Sequence, residues 1–166
     1  MEKRKVSIEY IEYDTTKETS ESTAILINKA LEATKTAYAP YSLFRVGAAV
    51  RLNNGKIASG SNQENVAYPS GLCAERVALF SAAAQYPDAT VESIAVTASH
   101  DFDEGDDVFS PCGACRQVMA EFEQRSGKDL EVIVKAPNGK VKIFESVSHL
   151  LPFSFSNPAL NKTNKK

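Results

Sequence analysis

Two short motifs constrain this chain more than anything else in it. Cys73-Ala74-Glu75 opens one helix-patterned stretch, and Pro111-Cys112-Gly113-Ala114-Cys115 opens another, with Cys112 lying 39 residues after Cys73. The i, i+3 spacing puts Cys112 and Cys115 on one helical face, within reach of a single ion. Proline just ahead of Cys112 suits the start of a helix. Helix starts present unpaired N–H groups and partial positive charge, which lower the pKa of thiols lying against them. Three thiolates at two helix N-termini suit a soft, tetrahedral zinc ion.

Three protein ligands leave the fourth position of such an ion open. A structural zinc site is normally closed by a fourth Cys or His, whereas a catalytic site keeps the position for solvent or substrate. The chain has three cysteines and two histidines; His100 and His149 lie outside both motifs and are read as structural or merely exposed. The open, catalytic site is therefore favoured. Glu75 is too close to Cys73 to be a further ligand on the same helical face, and reads instead as a proton shuttle. Arg76 is placed to donate hydrogen bonds to the cysteine sulfurs and to offset their charge. A lone Cys-x-x-Cys also describes redox pairs and partial zinc ribbons, and a lone Cys-x-Glu carries little. Jointly, the two motifs match the zinc-deaminase signature, with Cys in place of the usual first His.

Size and charge agree with a small-molecule site. At 166 residues the chain is long enough for one sizeable core and too short for two ordinary domains. Its net charge of −2 and pI near 5.8 argue against nucleic acid, whose partners usually carry a basic stripe. The acidic stretch 101–107 is expected to stay solvated. No apolar run approaches the roughly 20 residues that span a bilayer. No apolar stretch of signal-peptide kind follows the basic start Met1-Glu2-Lys3-Arg4-Lys5. An odd cysteine count without export signals argues against a disulfide framework. The cytosol is the expected compartment.

Periodicity then supplies the elements. Alternation around Val6–Ile8 and Tyr10–Ile11 hints at an edge strand. Ile27, Leu31, Thr34 and Tyr38 recur at helical spacing, flanked by Ala24, Ala30 and Ala37, in a helix that Pro40 ends. Residues 44–52 read as a strand, turned by Asn54-Gly55 into an antiparallel partner over 56–60. Helices are expected over 73–85 and 112–124, the second closed by Gly127. Strands are expected over 91–98, 131–136 and 141–144, with a short helical turn over 147–151. This order makes a single α/β domain, a three-layer α/β/α arrangement around a central mixed sheet. Residues 1–22 form an N-terminal extension, 23–155 the catalytic domain, and 156–166 a mobile tail.

At this point the sequence resembles the homotetrameric cytidine deaminase family, from about residue 37 to 155. The matching blocks are Ala39-Pro40-Tyr41-Ser42 with Phe44-Arg45-Val46-Gly47-Ala48-Ala49, then Asn62-Gln63-Glu64-Asn65, then Leu72-Cys73-Ala74-Glu75-Arg76. Pro111-Cys112-Gly113-Ala114-Cys115-Arg116-Gln117-Val118, and Leu150-Leu151-Pro152 with Ser154-Phe155, complete the set. The resemblance implies one zinc ion per chain on Cys73, Cys112 and Cys115, with Glu75 as the shuttle. It implies that Asn62 and Glu64 hold the ribose 3′-hydroxyl, that Phe44 stacks on the pyrimidine, and that the Ala74 amide binds the base's 2-oxo group. Phe155 would reach a neighbouring subunit's site in a homotetramer. The implied activity is deamination of cytidine and deoxycytidine in pyrimidine salvage. On the residues alone, ordinary loop polarity explains Asn62 and Glu64, core packing explains Phe44, and a hydrophobic anchor explains Phe153 and Phe155. Tyr41 and Tyr68 either line the pocket or simply pack. The segment before Ala24 and the acidic loop before Ser110 are longer than the family pattern. A different aminated pyrimidine, cytosine within RNA or DNA, and a non-enzymatic zinc site are the competing readings.

Overall fold

The computed structural model describes residues 1–99 and 109–156; His100, the acidic stretch 101–107 and the tail from 157 lie outside the described residues. In chain order the elements are β1 (Ile11–Tyr13), α1 (Glu21–Thr34), β2 (Arg45–Leu52), β3 (Ile57–Ser61), α2 (Ala74–Gln85), β4 (Val91–Ser99), α3 (Gly113–Ser126), β5 (Glu131–Lys135) and β6 (Val141–Phe144). A 3-10 turn, Val147–His149, follows.

The strands join in one sheet of order β1-β6-β5-β4-β2-β3. Among the described strands only β4 and β5 run parallel, joined through α3; the other neighbouring pairs are antiparallel. The sheet is thus mixed, as expected. Side-chain alternation sorts the core into two layers. Ala48, Val50, Ile94, Val96, Val132 and Val134 face α2 and α3, together with Leu79 and Met119. Ala49, Ala95, Ile133 and Ile143 face α1, which contributes Leu26, Ile27 and Ala30.

Two glycines let the helices approach. A Cβ on Gly47 would sit 2.0 Å from the Ala30 carbonyl oxygen of α1, and one on Gly60 would sit 2.5 Å from the Ala78 amide nitrogen of α2. Side-chain-free backbone at these two points lets α1 and α2 lie directly on the β2–β3 hairpin from opposite faces.

Two boundaries differ from the periodic reading. Helix α1 stops at Thr34, Leu31 is exposed, and Tyr38 lies beyond the helix end. The reason is a competing set of backbone bonds. The Tyr38 amide donates to the Asn62 carbonyl at 3.0 Å and its own carbonyl accepts from the Glu64 amide at 2.8 Å. Pairing with the loop after β3 thus replaces further helix. At the N-terminus, strand pairing covers Ile11–Tyr13 alone, against β6. This part of the N-terminal segment is the sheet's outer strand, and the preceding Tyr10 leans against Phe144, ring centres 5.3 Å apart and tilted by 37°.

Because β3 and β4 both run antiparallel to β2, they point the same way. Their carboxyl ends therefore deliver α2 and α3 to the same end of the sheet, on the same face. In α/β sheets that end is where ligand crevices form.

Candidate zinc centre and active site

Cys73 and Cys112 occupy the N-cap positions of α2 and α3, and neither makes a side-chain cap bond. Ser, Thr, Asp or Asn is preferred at such a position because its oxygen caps an orphan amide. Here the side chains are left for something other than local helix stability. Cys115 lies one turn into α3 and is fully buried, while Cys73 is half-buried and Cys112 exposed. The three sulfurs all lie within 4.8 Å of one another, and Cys73 Sγ and Cys112 Sγ are 3.9 Å apart. A tetrahedral zinc with Zn–S bonds of about 2.3 Å needs sulfurs roughly 3.8 Å apart. The donor set therefore fits zinc in chemistry and in span.

Charge is arranged to suit thiolates. Arg76 Nη2 lies 3.8 Å from Cys73 Sγ. The Cys73 thiol is pulled down to about 5, first by a hydrogen bond from Cys115 and further by Arg76. Cys115 moves upward because it donates to Cys73 and is buried. Glu75, 4% exposed, holds its proton above the usual carboxylate range; burial is the main cause and the Cys73 charge adds to it.

A cavity of about 490 Å³ opens beside these groups, lined by Phe44, Val46, Asn62, Cys73, Glu75, Phe109 and others. A second hollow adjoins it and shares Ser42, Asn62 and Cys73 with the first, adding Tyr41, Glu64 and Tyr68. Phe44 leans against Phe109, ring centres 6.2 Å apart and tilted by 48°. The two rings make an aromatic wall in the cavity that Glu75 also lines. Tyr41 and Tyr68 meet edge to face at 6.1 Å, lining the second hollow.

Asn62 and Glu64 are near this cavity and are also tied to the backbone. Asn62 Oδ1 accepts from the Val46 amide at 2.8 Å, and its Nδ2 donates to the Phe44 carbonyl at 2.9 Å. A carboxamide has two donors and two lone pairs, so one of each remains after these bonds. Glu64 accepts from the amides of Tyr41, at 2.9 Å, and Ser42, at 3.3 Å, and from the Ser42 hydroxyl. Ala74 is the first residue of α2, where an amide has no intrahelical acceptor. Phe155 is 74% exposed and is pinned by Gln117, whose side chain both donates to its carbonyl and accepts from its amide. His149 sits in the turn after β6, and its Nδ1 is buried without a partner among the described residues. Phe109 and Ser42 are cavity residues that sequence reasoning missed. Phe109 adjoins the Ser-Pro-Cys segment, and an aromatic so near a metal motif was the available signal.

The family model for the cytidine and deoxycytidylate deaminase zinc-binding region matches residues 20–127. A cytidine deaminase of Halalkalibacterium halodurans is 38% identical over 137 residues, covering 82% of this chain and 96% of that protein. One from Sporosarcina psychrophila is 41% identical over 137 residues, covering 82% and 93%. Among solved structures, a cytidine deaminase from Burkholderia pseudomallei superposes with a TM-score of 0.69 at 41% identity, covering 82% of this chain and all of that one. The Mycobacterium tuberculosis cytidine deaminase gives 0.62 at 30%, covering 80% and 96%. The mixed sheet flanked by helices is the fold these enzymes share, and the family model is that of a zinc-binding region, in keeping with three clustered sulfurs that could hold one metal ion. The chain belongs to the cytidine and deoxycytidylate deaminase family.

Proposed function

We propose that this chain hydrolyses free cytidine and deoxycytidine to uridine and deoxyuridine with release of ammonia, a reaction of pyrimidine salvage. The observation that carries this reading is a buried, readily protonated Glu75 beside three clustered cysteine sulfurs in a cavity walled by Phe44 and Phe109. Cys73, Cys112 and Cys115 hold one zinc ion, which when bound supplies Lewis acidity and an activated solvent nucleophile. Arg76 offsets the excess negative charge of three thiolates.

Glu75 manages the protons. As the water oxygen bonds to C4 of cytosine, Glu75 takes up a proton and returns it to N3. It then carries the second proton to the amine, and the C4–N bond breaks. Both water protons are accounted for, one on N3 and one on ammonia. A carboxyl whose hold on a proton is strengthened by burial can both accept and return one, as such a shuttle must. Phe44 stacks on the pyrimidine ring and the Ala74 amide binds its 2-oxo group. The remaining hydrogen-bonding capacity of Asn62 and Glu64 takes the ribose 3′-hydroxyl, which cytidine and deoxycytidine share.

The working particle is a homotetramer of 23–155 catalytic units, with 1–22 and 156–166 flanking them, in the cytosol. Exposed apolar side chains in the segments that carry the cavity residues support assembly: Leu43, Val66 and Tyr68 are each more than 60% exposed. In a tetramer Phe155 reaches a neighbour's site. Free cysteines suit a reducing compartment, and among the described residues no helix is long and apolar enough to cross a membrane.

The test is absorbance of zinc-loaded protein with cytidine, deoxycytidine, cytosine and CMP in parallel. Turnover of the two nucleosides, with cytosine and CMP left intact, is the expected result. Turnover of CMP in preference to cytidine would contradict the free-nucleoside assignment.

A further inference from the structure

The segment carrying Phe44 has an uncommon backbone. Leu43, immediately before it, sits in the left-handed region at φ +57°, which a non-glycine residue adopts only when its surroundings hold it there. The Leu43 amide donates to the Ala39 carbonyl at 3.1 Å, and one hydroxyl spans the residue from the other side. Ser42 Oγ accepts from the Phe44 amide at 3.1 Å, spanning Leu43, and donates to Glu64 Oε1. The same Ser42 lines both the cavity beside Glu75 and the hollow beside Glu64, at the point where they meet.

We infer that Ser42 is a positioning residue of this site: its hydroxyl joins the Glu64 carboxylate to the Phe44 backbone and fixes the sugar end of the cavity against the aromatic wall. The inference rests on the nucleoside-deaminase reading above. A hydroxyl that donates to one group while accepting from another has its rotor fixed, so neither partner moves without the other. Asn62 closes the far side of the same loop through the Phe44 carbonyl and the Val46 amide. The Ser42 hydroxyl is also the largest influence keeping Glu64 below its ordinary carboxylate range, as a donor to the ionised form should. Ser42→Ala removes both bonds, leaving Glu64 with its two backbone donors and cutting the link between Glu64 and the Phe44 amide.

The experiment compares wild type, Ser42→Ala and Ser42→Thr at equal zinc content, with cytidine and 3′-deoxycytidine as substrates. Loss of a charge-assisted bond predicts a KM for cytidine about tenfold higher in Ser42→Ala, with kcat changed less than about threefold. The KM for 3′-deoxycytidine rises less, so discrimination between the two substrates narrows, and Ser42→Thr restores it. Wild-type KM values for both substrates in Ser42→Ala overturn the inference. So does an equal rise on both substrates, which would mean general loosening, or a fall in kcat alone. Loss of zinc or of the folded state in Ser42→Ala would make the residue structural and overturn it too. Wild type that fails to turn over cytidine would instead remove the deaminase reading, and this inference with it.

Discussion

At the scale of single residues, legibility depends on whether a role is local. The three cysteines and Glu75 stand out in the sequence because metal-ligand chemistry demands particular residue types at particular spacings. Phe109 and Ser42 do not, because their surroundings come from segments far apart in the chain: Phe109 meets Phe44, and Ser42 meets Glu64, 22 positions on. Asn62 falls between. Its side chain clamps the backbone at Phe44 and Val46, a duty that neither loop polarity nor a sugar contact foretells. The aromatic wall gives a direct prediction. An aromatic pair contributes about 0.5–1.5 kcal/mol beyond burial, so Phe109→Ala is expected to raise KM for cytidine by roughly two- to tenfold with kcat nearly unchanged. An unaltered KM in steady-state assays would show that Phe109 does not support Phe44.

Elements were legible wherever periodicity was local. Helices α2 and α3, the β2–β3 hairpin and the three later strands follow the expected spans closely. Helix α1 did not, because the Tyr38 backbone finds better partners in the 62–64 loop than in another helical turn, and such partners are invisible to a periodicity count. One close element contact is α2 on β3. A Cβ at Gly60 would lie 2.5 Å from the Ala78 amide and 2.9 Å from Val77, backbone that cannot swing aside. Gly60→Ala should therefore push α2 off the sheet and cost about 1–3 kcal/mol, read as a lower urea midpoint. Since α2 carries Cys73 and Glu75, zinc retention should fall as well. Wild-type stability in this variant would mean that α2 is not seated as described.

For the molecule as a whole, the class and layer order of the fold follow from element order, but the pairing of an N-terminal strand with β6 does not. Nothing in a short alternating segment specifies which edge it joins. The convergence of two helix N-termini on one cysteine cluster has a thermodynamic consequence. Three cysteines brought together must share their charge: Cys73 is drawn down by Cys115 and Arg76 while Cys115 is driven up. A bound cation relieves that competition and binds the folded chain alone, so it stabilises by mass action. Removal of zinc by a chelator should abolish turnover and lower Tm by several degrees, and re-addition should restore both. A Tm indifferent to zinc, followed by scanning calorimetry, would contradict a metal held between α2 and α3.

The central claim is that Glu75 moves the protons of a zinc-dependent deamination. Its most direct test is the rate of cytidine conversion by wild type and Glu75→Gln prepared at the same zinc content. Glutamine keeps the shape and removes the ionisable group. A fall in kcat of about 10²–10⁴-fold is expected, the usual worth of a positioned acid–base group, while zinc content and Tm stay near wild type. A variant that deaminates cytidine at the wild-type rate would contradict the claim.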